Sequence, residues 1–157
     1  MPLLNTGTQL TGAITDLINT VLLLPLVLSL KKHLSRSHTP SRLWLRLMAL
    51  VCVSCALGAL VHMFQWGFMG RILIWLVLYP IIMAACNDFL RLGLYSSGDG
   101  LHPSRKLNQG LNIALLITWA LLMVLFFIRR DEPIRVFMVY TILTVVPGFF
   151  FHSRLAL

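Results

Sequence analysis

The stretch LMALVCVSCALGALVHMFQWGFMG, residues 47–70, lies between Arg46 and Arg71 and carries no formal charge. About 20 mostly apolar residues, wound as a helix, cross the hydrocarbon core of a bilayer. Similar gaps recur along the chain. Uncharged runs separate Lys106 from Arg129 and Arg135 from Arg154, and a slightly shorter one separates Arg71 from Asp88. The first apolar segment ends at Lys31 and is long enough only if Asp16 lies inside it. This spacing predicts an all-α, polytopic transmembrane bundle of five spans, at about 10–30, 43–64, 71–92, 109–128 and 134–152, as one membrane domain over 1–157. No positive charge precedes the first apolar run, so it reads as a retained helix and not a secretory signal peptide.

Composition agrees with this reading. The 157 residues are 58% hydrophobic and only 11% charged. A soluble domain carries roughly a quarter of its residues charged. Mean hydropathy is +0.85. So few charges cannot cover the surface of a soluble enzyme or a nucleic-acid-binding domain of this size. The net charge of +8 would point to nucleic acid in a soluble protein. Here the charges stand in short clusters between apolar runs, so no nucleic-acid partner is expected. An outside N-terminus places Lys31, Lys32, Arg36, Arg42, Arg46, Arg91, Arg105, Lys106 and Arg154 on the inner side and leaves Arg71, Arg129, Arg130 and Arg135 outside. Nine against four favours N-out and C-in.

Two connections stand out. KKHLSRSHTPSR, residues 31–42, is strongly basic and reads as a loop on anionic headgroups. GLYSSGDGLHPSRKLNQG, residues 93–110, reads as a solvent-exposed loop. Cys52, Cys55 and Cys86 all fall in apolar stretches, as packing residues do. Pro25, Pro80 and Pro147 interrupt predicted helices and free carbonyls that need other donors. Trp44, Trp66, Trp75, Tyr79 and Trp119 read as interfacial belt or packing residues.

Ionisable and polar groups inside the apolar runs carry the functional content, because each is costly in lipid. Asp16, Asn19 and Thr20 are spaced to share one face of the first helix. In the second helix His62 shares a stripe with Gly58 and Cys55, with Ala59 beside it, a seam that allows close helix approach. Antiparallel neighbours would bring Asp16 and His62 to the same end. Two readings of that pair remain open: a carboxylate and an imidazole satisfying each other, or an acid orienting a metal-binding or proton-transferring histidine. Asp88 and Arg91, three apart, read as an interfacial cluster that stops the third helix, with Arg91 snorkelling to the surface.

The opening motifs, TDLINTVLLLPLVLSL (15–30) and GALVHMF (58–64), resemble the start of the alkaline ceramidase branch of the CREST superfamily. That superfamily groups seven-helix membrane hydrolases with adiponectin/progestin-type receptors, and small uncharacterised bacterial membrane proteins share the opening. The likeness runs from the start of the chain to about Gln65. It implies that His62 is a zinc ligand and that Asp16 and Asn19 belong to the site. The family's serine four residues before the histidine falls on Gly58. The family's aspartate early in the third helix has no match in GFMGRILIW, and its closing histidine pair is reduced to His152. Catalytic zinc takes three protein ligands and a water, so these departures favour a CREST-like membrane protein without a complete zinc hydrolase site.

The expectations are therefore a polar pocket of Asp16, Asn19 and His62 and no cofactor, with zinc at His62 as the exception to test. The partners expected are membrane lipids and a membrane-protein partner or second copy. The alternatives are a metal-dependent amide or ester hydrolase acting on a membrane lipid, and an assembly partner docking through Cys55, Gly58 and Ala59. Small size and simplicity point to a bacterial inner membrane.

Overall fold

The computed structural model describes residues 3–4, 7–33, 39–96, 104–128 and 133–153. Five helices follow one another: α1 (Thr8–His33), α2 (Thr39–Met63), α3 (Phe68–Ser96), α4 (Arg105–Ile128) and α5 (Pro133–Ser153). Two short strands, β1 (Leu3–Leu4) and β2 (Phe64–Gln65), pair antiparallel with Leu3 opposite Gln65. The fold is all-α apart from that pairing. Among the described residues, Gln9–His33, Thr39–Met63, Phe68–Tyr95 and Arg105–Leu125 are long and apolar enough to cross a membrane. The chain thus has the make-up of an integral membrane protein. Residues 34–38, 97–103, 129–132 and 154–157 lie outside the described residues, as do the side chains of Arg71, Arg135 and His152. The central parts of both predicted loops, the outer charge cluster and Arg154 fall there.

Helix is forced on these runs because a bilayer offers no donor or acceptor to an unpaired backbone group. Local signals set the ends. Ser104 caps α4, its Oγ accepting the Leu107 N–H at 3.1 Å. Proline stands at the first position of α5 and directly after Thr39 in α2, where a missing N–H costs nothing. Lys31, Lys32 and His33 end α1 against its free carbonyls. Just before α1, Gly7 takes a positive φ, which glycine adopts without steric cost.

The centre of the bundle is α3. It packs against α2 and α5, with α4 laid across α3 and α5 and α1 against α2. Tyr79, Met83 and Cys86 of α3 form a core with Leu122 of α4; Ala85 and Leu92 form a second with Leu47 of α2. Outward, Val21, Leu22, Ile117 and Leu143 are between 62% and 67% exposed. So much uncovered aliphatic surface requires lipid around it.

Proline chemistry explains one contact. Residue 80 of a helix ordinarily donates to the carbonyl of residue 76, and Pro80 has no N–H. Trp119 of α4 donates its Nε1–H to the Leu76 carbonyl at 3.1 Å, so the freed acceptor is met by a neighbouring helix.

Two expectations are corrected. Residues 93–110 are not one loop: α3 runs on to Ser96 and α4 begins at Arg105. The helix continues because Arg91, Leu92 and Gly93 are buried against neighbouring elements, which sustains its last turns. Nor do Asp88 and Arg91 stop α3, which continues past them to Ser96. Asp88 is fully buried, and Arg91, at 8% exposure, turns inward instead of snorkelling. Arg46 of α2 reaches Asp88 with Nε and Nη2 on the two carboxylate oxygens, and Arg91 Nη1 donates to Oδ1 at 3.2 Å. Arg91 Nη2 also donates to Asn112 Oδ1 at 2.8 Å and to the Asn108 carbonyl at 3.4 Å. Asn87 donates to the Leu111 carbonyl at 3.2 Å. Polar bonds therefore tie α2, α3 and α4 together where apolar packing alone would specify little.

Candidate functional site: a polar pocket at the end of an apolar groove

Pairing of α1 with α2 rests on small residues. The carboxylate of Asp16 lies against Gly58, where an added Cβ would fall 2.6 Å from Oδ2 and 3.2 Å from Cγ. One turn further along, the His62 ring lies over Gly12, 3.7 Å from where a Cβ would be. Each polar side chain thus meets a glycine four residues before the other, an antiparallel arrangement in which the contact at Gly58 is the tight one. On the far side of Asp16, the Cys52 thiol donates to the Thr20 carbonyl at 3.8 Å. Ala13 and Ala59 are buried in the same seam. The Cys55–Gly58–Ala59 stripe, one expected way of docking a partner chain, is therefore engaged by α1 of the same molecule.

Asp16 and His62 line one cavity of about 350 Å³ and stand within electrostatic reach of each other. Asn19 does not join them. The contact face runs through Gly12, Ala13, Asp16 and Thr20, which leaves Asn19 exposed at its edge. The Thr20 hydroxyl donates to the Asp16 backbone carbonyl at 2.8 Å and so closes on its own helix. On the opposite wall, α3 contributes Trp75 and Tyr79, stacked with centroids 4.8 Å apart at 26°, and α5 contributes Met138. Sequence reading places these aromatics only as belt or packing residues. Their four-residue spacing on one helix face is the available signal.

A second cavity of about 330 Å³ lies between α2 and α5 on a floor of α3, with Leu47, Met48, Val51, Ala85, Phe89 and Phe149 among its walls. Ser54 and Ile82 line both cavities. From Leu47 to His62 the axis of α2 rises about 22 Å. The two cavities thus adjoin at Ser54 and Ile82, the one apolar and the other lined by Asp16 and His62.

Asp16 and His62 give two of the three protein donors that catalytic zinc usually takes and Cys55 lines the same cavity, while among the described residues no three His, Cys, Asp or Glu side chains are grouped to hold one ion.

The fold and pocket define a helical membrane-protein bundle with two adjoining cavities, one of them lined by Asp16 and His62. The chain belongs to DUF6962, a family of unknown function, which matches it over residues 11–157. No curated protein and no solved structure matches it.

Proposed function

We propose that this chain is a CREST-like integral membrane protein that binds a single-chain amphiphile and does not hydrolyse it through zinc. In this reading it spans a bacterial inner membrane five times, N-terminus out and C-terminus in. The polar end of the ligand sits between Asp16 and His62 near the outer leaflet, and its hydrocarbon tail lies between α2 and α5. The observation that carries the reading is that the two cavities adjoin and share Ser54 and Ile82 in their walls, so that one extended ligand would fill both. A groove about 22 Å long matches an extended long acyl chain better than a compact solute. At the polar end a carboxylate accepts, and an imidazole donates or accepts, which suits a head bearing hydroxyl or amide N–H groups. The low polarity of the remaining wall excludes a bulky charged head.

Purified protein in neutral detergent tests this, with co-purifying lipids identified by mass spectrometry and a fluorescent long-chain alcohol as probe. The expected result is saturable probe binding that Ile82→Trp abolishes by blocking the junction and Asp16→Ala weakens. Binding unchanged by Ile82→Trp overturns the groove. Stoichiometric zinc that disappears in His62→Ala would replace this reading with a metal-dependent amide or ester hydrolase acting on a membrane lipid.

A further inference from the structure

The other end of the bundle holds a different site, independent of the amphiphile groove. Arg46, Asp88 and Arg91 carry two positive charges against one negative, so the cluster keeps a surplus of one. These three side chains, with Asn87 and Asn112, line a cavity of about 230 Å³ between α2, α3 and α4. Two observations mark it as a place for an anion. First, Arg91 is buried, yet its Nε–H is the one buried side-chain donor among the described residues without an acceptor. A guanidinium with one arm on Asp88 and another on Asn112 still has hydrogen-bonding capacity to give. Second, Arg46 spends Nε and Nη2 on Asp88 while 54% of its side chain stays exposed. It also lines two adjoining cavities, with Arg42 in both and Lys31 in one. Cations thus surround a cleft whose one lining acid, Asp88, is already doubly engaged.

We propose that this cleft binds the phosphate of an anionic phospholipid, seated on Arg46 and facing the Arg91–Asn112 wall, with Arg42 and Lys31 flanking it. Planar guanidinium groups suit phosphate oxygens. The exposed aliphatic surface of α1, including Leu26 and Leu28, lies toward the same end and offers the acyl chains a place outside the bundle. Asp88 holds Arg46 in position, so the phosphate meets an oriented donor and not a free side chain.

Native mass spectrometry of the full chain released from neutral detergent reads out bound lipid directly. Dioleoyl phosphatidylglycerol, dioleoyl phosphatidylcholine and inorganic phosphate are offered separately. One phosphatidylglycerol is expected to be retained in clear preference to phosphatidylcholine, and millimolar phosphate is expected to compete only weakly. Arg46→Gln should lower phosphatidylglycerol affinity about fivefold to tenfold. Because Arg46→Gln also touches the buried ion cluster, Arg42→Gln, at an exposed position outside that cluster, serves as the second variant and should lower it by a smaller factor. Equal retention of the two lipids, or retention unchanged in both variants, overturns the proposal. Phosphate binding without preference for phosphatidylglycerol assigns the site to a free anion and overturns the lipid assignment.

Discussion

Trp119 donating to the carbonyl that Pro80 leaves open makes a quantitative claim about how α3 and α4 hold together. Trp119→Phe removes the Nε1 donor and keeps an aromatic ring. The Leu76 carbonyl then loses its partner at 3.1 Å. Interhelical hydrogen bonds in membrane proteins average about 0.6 kcal/mol and reach about 1.7 kcal/mol. An acceptor stranded without water belongs toward the upper part of that range, so about 1 kcal/mol is expected. The substitution also trims a ring that packs against the Tyr79, Met83 and Leu122 core, at a further cost on the order of 1 kcal/mol. A double-mutant cycle separates the two costs. Pro80→Ala restores an N–H at residue 80, which gives the Leu76 carbonyl its intrahelical donor back. The packing loss is common to both backgrounds and cancels. Trp119→Phe should therefore cost about 1 kcal/mol less in the Pro80→Ala background than in the wild type. Unfolding in mixed micelles, followed by far-ultraviolet circular dichroism, measures all four proteins. A coupling below about 0.3 kcal/mol, the ordinary error of additivity, would refute the assignment.

The remaining predictions use the same logic. Gly148→Ala places a Cβ 2.7 Å and 2.8 Å from Phe89 Cδ1 and Cε1, a ring already held by Phe149 at 5.0 Å. It should destabilise by about 1–3 kcal/mol in the same assay. At Gly12 an added Cβ meets the His62 ring at an ordinary 3.7 Å. Gly12→Ala should therefore stay within about 0.5 kcal/mol of the wild type. Asp88→Asn leaves Arg91 buried without its counter-charge and should cost about 3–5 kcal/mol, read as a lower unfolding midpoint. For orientation, Lys32→Cys and Gly67→Cys, each in a background lacking Cys52, Cys55 and Cys86, should label with an impermeant maleimide from opposite sides. Labelling of Gly67→Cys from outside and of Lys32→Cys only in inverted vesicles fits N-out, and the reverse pattern overturns it.

The helices are legible because their signal is one-dimensional: a run free of charge is visible without knowing what it touches. The 47–70 run forms most of α2 and the turn into α3, and the spacing of Gly58 and His62 already marks a seam. What stays hidden depends on which faces meet. Asp88 and Arg91 at i,i+3 look the same in sequence whether they face headgroups or a helix interface. Only Arg46, 42 residues away, decides between these, by closing on Asp88 from α2. Asn19 is deceptive for a related reason. Three residues from Asp16 is near enough to share a face, yet the contact stripe on α1 is narrow and Asn19 falls beyond its edge. The groove is illegible altogether, since Ser54 and Ile82 gain meaning only when α5 sets Met138 and Phe149 beside them.

Position 58 sets how closely α1 and α2 approach at this end of the molecule. Gly58 stands four residues before His62 and meets Asp16 across the seam. The place its Cβ would take is 2.6 Å from the Asp16 carboxylate oxygen, far inside contact distance. A side chain at position 58 therefore requires the Asp16 carboxylate to turn away from α2. The consequence of the glycine is chemical. An acid set against the neighbouring helix and lining one cavity with His62 is available to accept a hydrogen bond there, the contact that the proposed amphiphile head would use.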